Sequence, residues 1–386
     1  MSSLSTMTSP PPASTPLAPA ARPLRRWLPL GLGVALVVFT AMLPLLNISV
    51  PGVFPGPTYT AGTLQLLAYA MLISALALSY RIIFGVGGML SFGHALFFAA
   101  GAYGLGIALD VLAPASLPSP LIFALALLIA LIFAFVLATV TGALALRVGG
   151  ISFAMVTLAF AQAGSVMIRR NPGRATGGDE GLALDITHVP GALVGVVNTR
   201  NLFWVALVIL VLAYLVALWL EKSRAGHVAA AGRENELRVR VLGLRPYLVK
   251  LLVFTVAGVL AAIAGMGYLL LQSTASPRIA TADFTLTLLV IVVLGGVGMR
   301  WGAIVGGMIY TLLDQRLTAL AGSRAVDALP DVLRIPLSEP LFLLGTLFIL
   351  VVMFFPGGIA GIGKRLGGNK KRRTPAVSEV ASDDQE

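Results

Sequence analysis

Cysteine is absent from the 386 residues, so a disulfide framework, a thiolate metal site and a cysteine nucleophile are all excluded. Charge is scarce: Asp, Glu, Lys and Arg make up 11% of the chain, against 58% hydrophobic residues. That balance excludes an ordinary soluble domain. Acid is scarcer still, with 16 Asp and Glu against 27 Lys and Arg, and each acidic residue can be placed in a loop or at the end of an apolar run. Proton-coupled carriers need buried ionisable groups to take up and release the proton, so this placement argues against a self-powered proton carrier. Sodium coupling stays open, because backbone carbonyls ligate sodium. A nucleotide loop is missing too. Gly358 to Arg365 reads GIAGIGKR, one residue short of a phosphate-binding loop, without the Ser or Thr hydroxyl that holds magnesium, and behind an apolar run instead of a buried strand. If this chain pumps, another subunit binds the ATP. With no nucleophile–base pair or metal-ligand cluster either, no catalytic residue, metal or cofactor is expected, and the chain does not read as an enzyme.

What is present is a series of apolar runs. A spanning helix needs about 20 mostly apolar residues, and the runs fall at 28–46, 64–83, 85–109, 121–146, 151–168, 202–220, 250–272, 284–298, 302–313 and 340–355. The eighth and ninth are short and glycine-rich, and read either as two spans or as one broken or re-entrant element. The expectation is an all-α, polytopic membrane protein with about 8–10 transmembrane helices. With ten spans and the N-terminus inside, cytoplasmic segments hold 19 of the 27 Lys and Arg: Arg22, Arg25, Arg26, Arg81, Arg147, Arg300, seven from Lys222 to Lys250 and six from Lys364 to Arg373. That is the positive-inside bias of a bacterial inner-membrane protein with both termini cytoplasmic. It also brings basic side chains to anionic lipid headgroups. The net charge of +11 therefore points to membrane lipid and not to nucleic acid.

Residues 1–26 read as a disordered basic tail, 27–363 as the membrane domain and 364–386 as a charged cytoplasmic tail. Arg22, Arg25 and Arg26 ahead of Trp27 to Leu46 resemble a signal peptide, but the run is long and no small-residue cleavage site follows, which favours a retained first helix. Two long outer loops, about 169–201 and 314–339, are expected to carry short surface helices.

The charge is concentrated in one internal island, Glu221 to Lys250, reading EKSRAGHVAAAGRENELRVRVLGLRPYLVK. Within the loop 221–249, Arg233, Glu234, Asn235 and Glu236 precede a stretch of helical character to Leu242. Gly243 is expected to end it with a positive φ. A short polar helix with no apolar neighbour in its own loop to pack on reads as a docking element. The bland alternative is a solvated loop. Inside the apolar runs the polar residues are few. Ser91 and His94 lie in GMLSFGHALFFAAGAYG, and Thr157 and Gln162 lie further on. A structural histidine bonded to a backbone carbonyl and interhelical hydrogen bonds are the plain readings; a role in a substrate path is the sharper one. Gly298, Gly302 and Gly306, four apart, are expected to form one helix face for close packing, with Ala261 and Gly265 doing the same more weakly; a glycine-lined translocation path is the sharper reading.

Five segments together resemble the permease subunits of branched-chain amino acid ABC transporters, specifically the longer, M-type of the two paralogous permeases: GMLSFGHALFFAAGAYG (88–104), RVGGISFAMVTLAFAQ (147–162), TGGDEGL (176–182), SRAGHVAAAGRENELRVRVLGLRPYLVKLLVF (223–254) and LGGVGMRWGAIVGG (294–307). The resemblance covers most of 64–363. Family members often carry a larger residue where Gly232 sits and a Gly-Pro where this chain has Gly302–Ala303. The resemblance implies half of a translocation pathway in an ATP-driven importer, completed by a second paralogous permease, two cytoplasmic ATP-binding subunits and a periplasmic substrate-binding protein. It implies ATPase coupling through Arg233, Glu234, Asn235, Glu236 and Gly243, and a branched-chain or related amino-acid substrate. Urea and short-chain amide permeases share these motifs. From another class, a stand-alone secondary carrier is the alternative.

Overall fold

The computed structural model describes residues 55–195 and 198–321 without a break, residues 33 and 35–49, and positions 342, 345, 346, 348, 349, 353, 354 and 358. The expected tails at 1–26 and 364–386, most of the run 340–355 and the GIAGIGKR segment past Gly358 lie outside the described residues. Contacts divide the chain into Met1–Met42 and Leu43–Glu386. The described residues of the first unit are helical from Ala35 onward. The second unit holds the helix bundle.

A chain in hydrocarbon must satisfy every backbone polar group internally, and the helix does so within one segment. Among the described residues, six helices are long and apolar enough to cross a membrane. They are α1 (Ala61–Arg81), α2 (His94–Leu112), α3 (Ser119–Ala145), α4 (Ile151–Arg170), α5 (Thr199–Lys222) and, after two short helices α6 (Arg224–Glu234) and α7 (Glu236–Val241), α8 (Pro246–Gln272). The eighth and ninth apolar runs become α9 (Ala282–Gly295) and α10 (Arg300–Ala321), which bend by 118° at their junction. At about 1.5 Å per residue α9 reaches roughly 21 Å, short of the ~30 Å hydrocarbon core. This is the broken-element form of that region. The chain is a polytopic membrane protein, and its described residues are predominantly helical.

α1 is the central post, buried along almost its whole length. α5, α8 and α10 pack around it. α2 crosses α8 in backbone contact: a Cβ at Gly101 would collide with the carbonyl oxygen of Ala262, and one at Gly265 with that of Phe98. Backbone meets backbone there, and only glycine permits it. α3 buries Ala126, Ala130, Ala134 and Ala138, one turn apart, and turns Leu128, Ile132, Phe135 and Val136 outward. Small residues inward and large apolar residues outward mark α3 as lipid-facing.

One apolar run does not fold as a single helix. The run expected at 85–109 yields a helix only from His94. Ahead of it α1 unwinds through a π-helical turn, Ile82–Val86, and residues 87–93 are non-helical. Side chains supply the bonds the backbone gives up there: Tyr80 Oη donates to the Ser91 carbonyl (3.0 Å), and the Phe92 N–H donates to Thr157 Oγ1 (3.1 Å). Irregular backbone at membrane depth is tolerated where protein covers it in this way.

At one end of the bundle lie the C-termini of α1, α3 and α5 with the loop 223–245. At the other, β1 (Leu182–Ala183) pairs antiparallel with β2 (Thr274–Ala275), tying the 171–198 loop to the segment that enters α9. Among the described residues of the first expected loop there are three short 3-10 helices, Pro172–Arg174, Gly178–Glu180 and Gly191–Leu193, and residues 314–321 of the second expected loop belong to α10.

Candidate functional site

The loop between α5 and α8 is built from two helices with side-chain caps. Ser223 Oγ accepts from the Gly226 N–H (3.0 Å) and starts α6; Asn235, in extended conformation, ends it and starts α7 by accepting from the Arg238 N–H (3.0 Å). Arg233 and Glu234 therefore belong to the last turn of α6 and not to the short helix after it. At the end of α7 the Gly243 N–H donates to the Arg240 carbonyl (2.9 Å) and the Leu244 N–H to that of Val239 (3.3 Å), with Gly243 at φ +78°. This is a Schellman cap, which needs a left-handed residue after the helix.

Two anchors hold the loop to the bundle. The Arg233 guanidinium donates to the Gly85 carbonyl, and its stem lies against Gly88. Glu236 accepts from Lys250 of α8 at 2.5 Å and from Arg240 at 2.6 Å. The Lys250 hydrogen bond first, then Arg240, holds the Glu236 carboxyl below its ordinary pKa. Val239 is buried beneath α7. On the outer side Leu237 is 71% exposed, Val241 80% and Leu242 72%. The helix expected to be polar and unsupported is therefore seated inward and apolar outward. Glu234 is exposed and makes no ion pair among the described residues.

Beneath this loop lies a charged group that hydropathy alone does not reveal. Glu221, at the end of α5, bridges Arg81 of α1 (2.5 Å) and Arg300 of α10 (2.8 Å). Arg81 also donates through Nε to the Val297 carbonyl in the α9–α10 turn (3.0 Å). The signal in the sequence is that each of the three residues closes or opens an apolar run.

The intramembrane residues separate. Ser91, His94 and Thr157 are buried and gather where α2 begins. Gly93 N–H donates to Ser91 Oγ (3.3 Å), and Thr157 Oγ1 donates to the Ala154 carbonyl (2.8 Å). His94 Nε2 lies 2.8 Å from Ser79 Oγ, which is 2.7 Å from the Leu76 carbonyl. The Ser79 hydroxyl thus stands between the imidazole and the backbone of its own helix. Among the described residues Nδ1 has no partner. The histidine is thus held by a hydroxyl where a backbone carbonyl was expected. Gln162 stands apart, exposed on α4 beside a cleft it lines with Ala163, Val166, Met167, Arg170 and Pro172. The exposed face of α4 mixes the polar Gln162 and Arg170 with the large apolar Met155, Val166 and Met167, where the exposed face of α3 is apolar throughout its middle. Gly302 and Gly306 pack α10 onto the end of α9, meeting the Gly296 and Ile291 carbonyls; Gly298, expected on the same helix face, lies in the turn between the two helices.

Residues 62–354 match the protein family described as branched-chain amino acid transport system, permease component. Over 277 residues the chain is 28% identical to the high-affinity branched-chain amino acid transport system permease protein LivM of Escherichia coli (strain K12), covering 65% of this chain and 62% of that protein. LivM of Salmonella typhimurium is 28% identical over 286 residues, with the same shares. The permease protein BraD of Pseudomonas aeruginosa is 26% identical over 304 residues, 74% of this chain and 90% of that protein. The chain spans about 62% of the length of the two LivM relatives.

Proposed function

Because the chain belongs to the family of branched-chain amino acid transport system permease components, we propose that it is the membrane subunit of an ATP-driven importer for branched-chain or related hydrophobic amino acids. The observation that carries the proposal is the α6–α7 loop. It is fixed to the bundle through Arg233 and Glu236, and it offers Leu237, Val241 and Leu242 to the surroundings. An exposed apolar patch rimmed by charge marks a protein contact. The end of the bundle that carries it also carries Arg147, Arg224, Arg238, Arg240 and Arg245, so this end is cytoplasmic by the positive-inside rule. The partner that fits is a cytoplasmic ATP-binding subunit docking on α7, with Glu234 free to meet one of its basic groups.

In this reading the exposed face of α4, with Gln162 and Arg170, lines one half of the pathway, and a second permease supplies the other half. Ser91, His94 and Thr157 support that face from behind by fixing the non-helical 87–93 segment. A binding protein on the opposite, periplasmic side meets the 171–198 loop. Both termini lie in the cytoplasm.

The test is reconstitution of the chain with a second permease, two ATP-binding subunits and the binding protein in proteoliposomes. ATP-dependent accumulation of leucine is the expected result. Uptake driven by an ion gradient without the ATPase would make the chain a secondary carrier. ATP-dependent uptake of urea in place of leucine would reassign the substrate.

A further inference from the structure

Three segments that are far apart in sequence meet in one group of polar contacts, closed into a ring by the short stretch of chain from Val297 to Arg300. Glu221 is the penultimate residue of α5. Its carboxylate takes Arg81 from the end of α1 on one oxygen and Arg300 from the start of α10 on the other. Arg81 then reaches the Val297 carbonyl in the α9–α10 turn, and Arg300 begins the helix that leaves that turn. Side-chain exposure is 7% for Arg81, 22% for Glu221 and 27% for Arg300, so water does little to screen the group. Aromatic rings close it on one side: the Arg300 guanidinium lies 5.7 Å from the centre of the Tyr214 ring, and Tyr214 packs against Trp301.

The ring touches the docking loop twice. Glu221 is the residue from which the loop departs. Arg233, at the far end of α6, holds the Gly85 carbonyl, and Gly85 is packed against Val297 and the Arg81 stem. A displacement of α6 or α7 is therefore applied at both Glu221 and Gly85, and both lead to the α9–α10 turn. The turn itself is closely fitted, with Gly302 and Gly306 against the end of α9, so it moves as a unit.

We infer that the Arg81–Glu221–Arg300 group is the positioning joint that ties the docking loop to the bent α9–α10 pair, so that movement at the ATPase surface reaches the membrane-embedded part of the protein. The joint rests on the proposed function for its purpose but not for its existence. Charge at this position is what makes it a joint: one carboxylate serves two cations, and neither Arg81 nor Arg300 has another acidic partner among the described residues.

Two measurements on the full chain separate the joint from the transport reading. The first needs no partner. The chain has no cysteine, so R238C and G298C place one spin label on α7 and one in the α9–α10 turn. Both positions are open: Arg238 is exposed, and nothing lies within 4 Å of a Cβ at Gly298. The native background should give one narrow distance distribution and E221Q a broadened one. An unchanged distribution overturns the joint. The second measurement uses the reconstituted complex. With E221Q or R300Q the ATPase should still co-purify, because Leu237, Val241 and Leu242 are untouched. Amino acid imported per ATP hydrolysed should fall about fivefold or more, the size of an ordinary coupling between sites. R300K, which keeps the cation, should retain most of it. R300Q leaves Arg81 and Glu221 as a balanced pair and serves if E221Q does not fold. If import and hydrolysis fall together in proportion to assembled complex, the group is merely structural and the inference fails. A native complex without ATP-dependent import would sink the transport reading and leave the spin-label result to decide the joint.

Discussion

Truncating the outer face of α7 measures how much of the ATPase contact is apolar. In L237A/V241A three carbons leave position 237 and two leave 241. Each buried carbon contributes about 0.8 kcal/mol. Leu237 is 71% exposed and Val241 80%, so nearly all of that burial is still available to a partner. Scaled by exposure, the losses are about 1.7 and 1.3 kcal/mol, together a weakening of roughly a hundredfold in Kd. The cost of immobilising two proteins is the same before and after, and cancels from the difference. Alanine is a better helix former than either residue replaced, so melting of α7 does not explain a loss. Surface changes of this kind alter stability by only about 0.5 kcal/mol. The assay is titration of the solubilised chain with the ATP-binding subunit, with V111A as control, since Val111 is 69% exposed but lies at the end of α2, beside the 171–198 loop at the opposite end of the bundle. A Kd within about twofold of native for L237A/V241A would refute the docking face; equal weakening by V111A would show that the effect is unspecific.

Three further outcomes are expected. G243V forces a β-branched residue to φ +78°, a strain of about 1–3 kcal/mol, and should reduce uptake at normal membrane levels while G243N, which tolerates the left-handed region, keeps it; equal loss in both would refute the cap argument. G265V drives side-chain atoms into the Phe98 carbonyl and should lower the unfolding temperature sharply, an overpacking penalty of about 1–3 kcal/mol or more, whereas G104A, whose Cβ would sit 3.5 Å from Ala130, should be nearly neutral. Glu236 titrates below the ordinary glutamate value of 4.5 in the folded state, so the attachment of α7 to α8 is fully present above that pH and is lost as pH falls through the lower folded value. Protease cleavage at Arg240 should accelerate in that acidic range, and E236Q should remove the pH step.

The membrane class, the order of the spans and the positive φ of Gly243 were all legible in the sequence, because each depends on local composition. Apolar length identifies a span, and a glycine after a short helical stretch identifies a cap. What escaped depends on partners distant in sequence. Residues 85–93 look like the start of a helix by hydropathy; they unwind because Tyr80 and Thr157 take over the backbone bonds. Gly298 shares the spacing of Gly302 and Gly306, but spacing cannot show that the chain turns between 295 and 300. The apolar face of α7 was hidden by its own composition, in which Arg238 and Arg240 mask Leu237 and Val241. The three residues of the ionic joint are visible as helix-end charges, yet only the packing of α1, α5 and α10 puts one carboxylate between two guanidiniums.

The glycine contact between α2 and α8 also sets a clock. Phe98 and Gly265 are made far apart in time: at about 5–20 residues per second, a ribosome takes on the order of ten to thirty seconds to travel from one to the other. Through that interval α2 is already in the bilayer while the groove meant for α8 faces lipid or whatever the insertion machinery places there. This backbone-on-backbone seam therefore closes late, after α3, α4 and α5 have been delivered. Synthesis stalled between α5 and α8 should leave a membrane-inserted chain with its backbone-lined groove open, a form that quality-control proteases would meet before any partner subunit does.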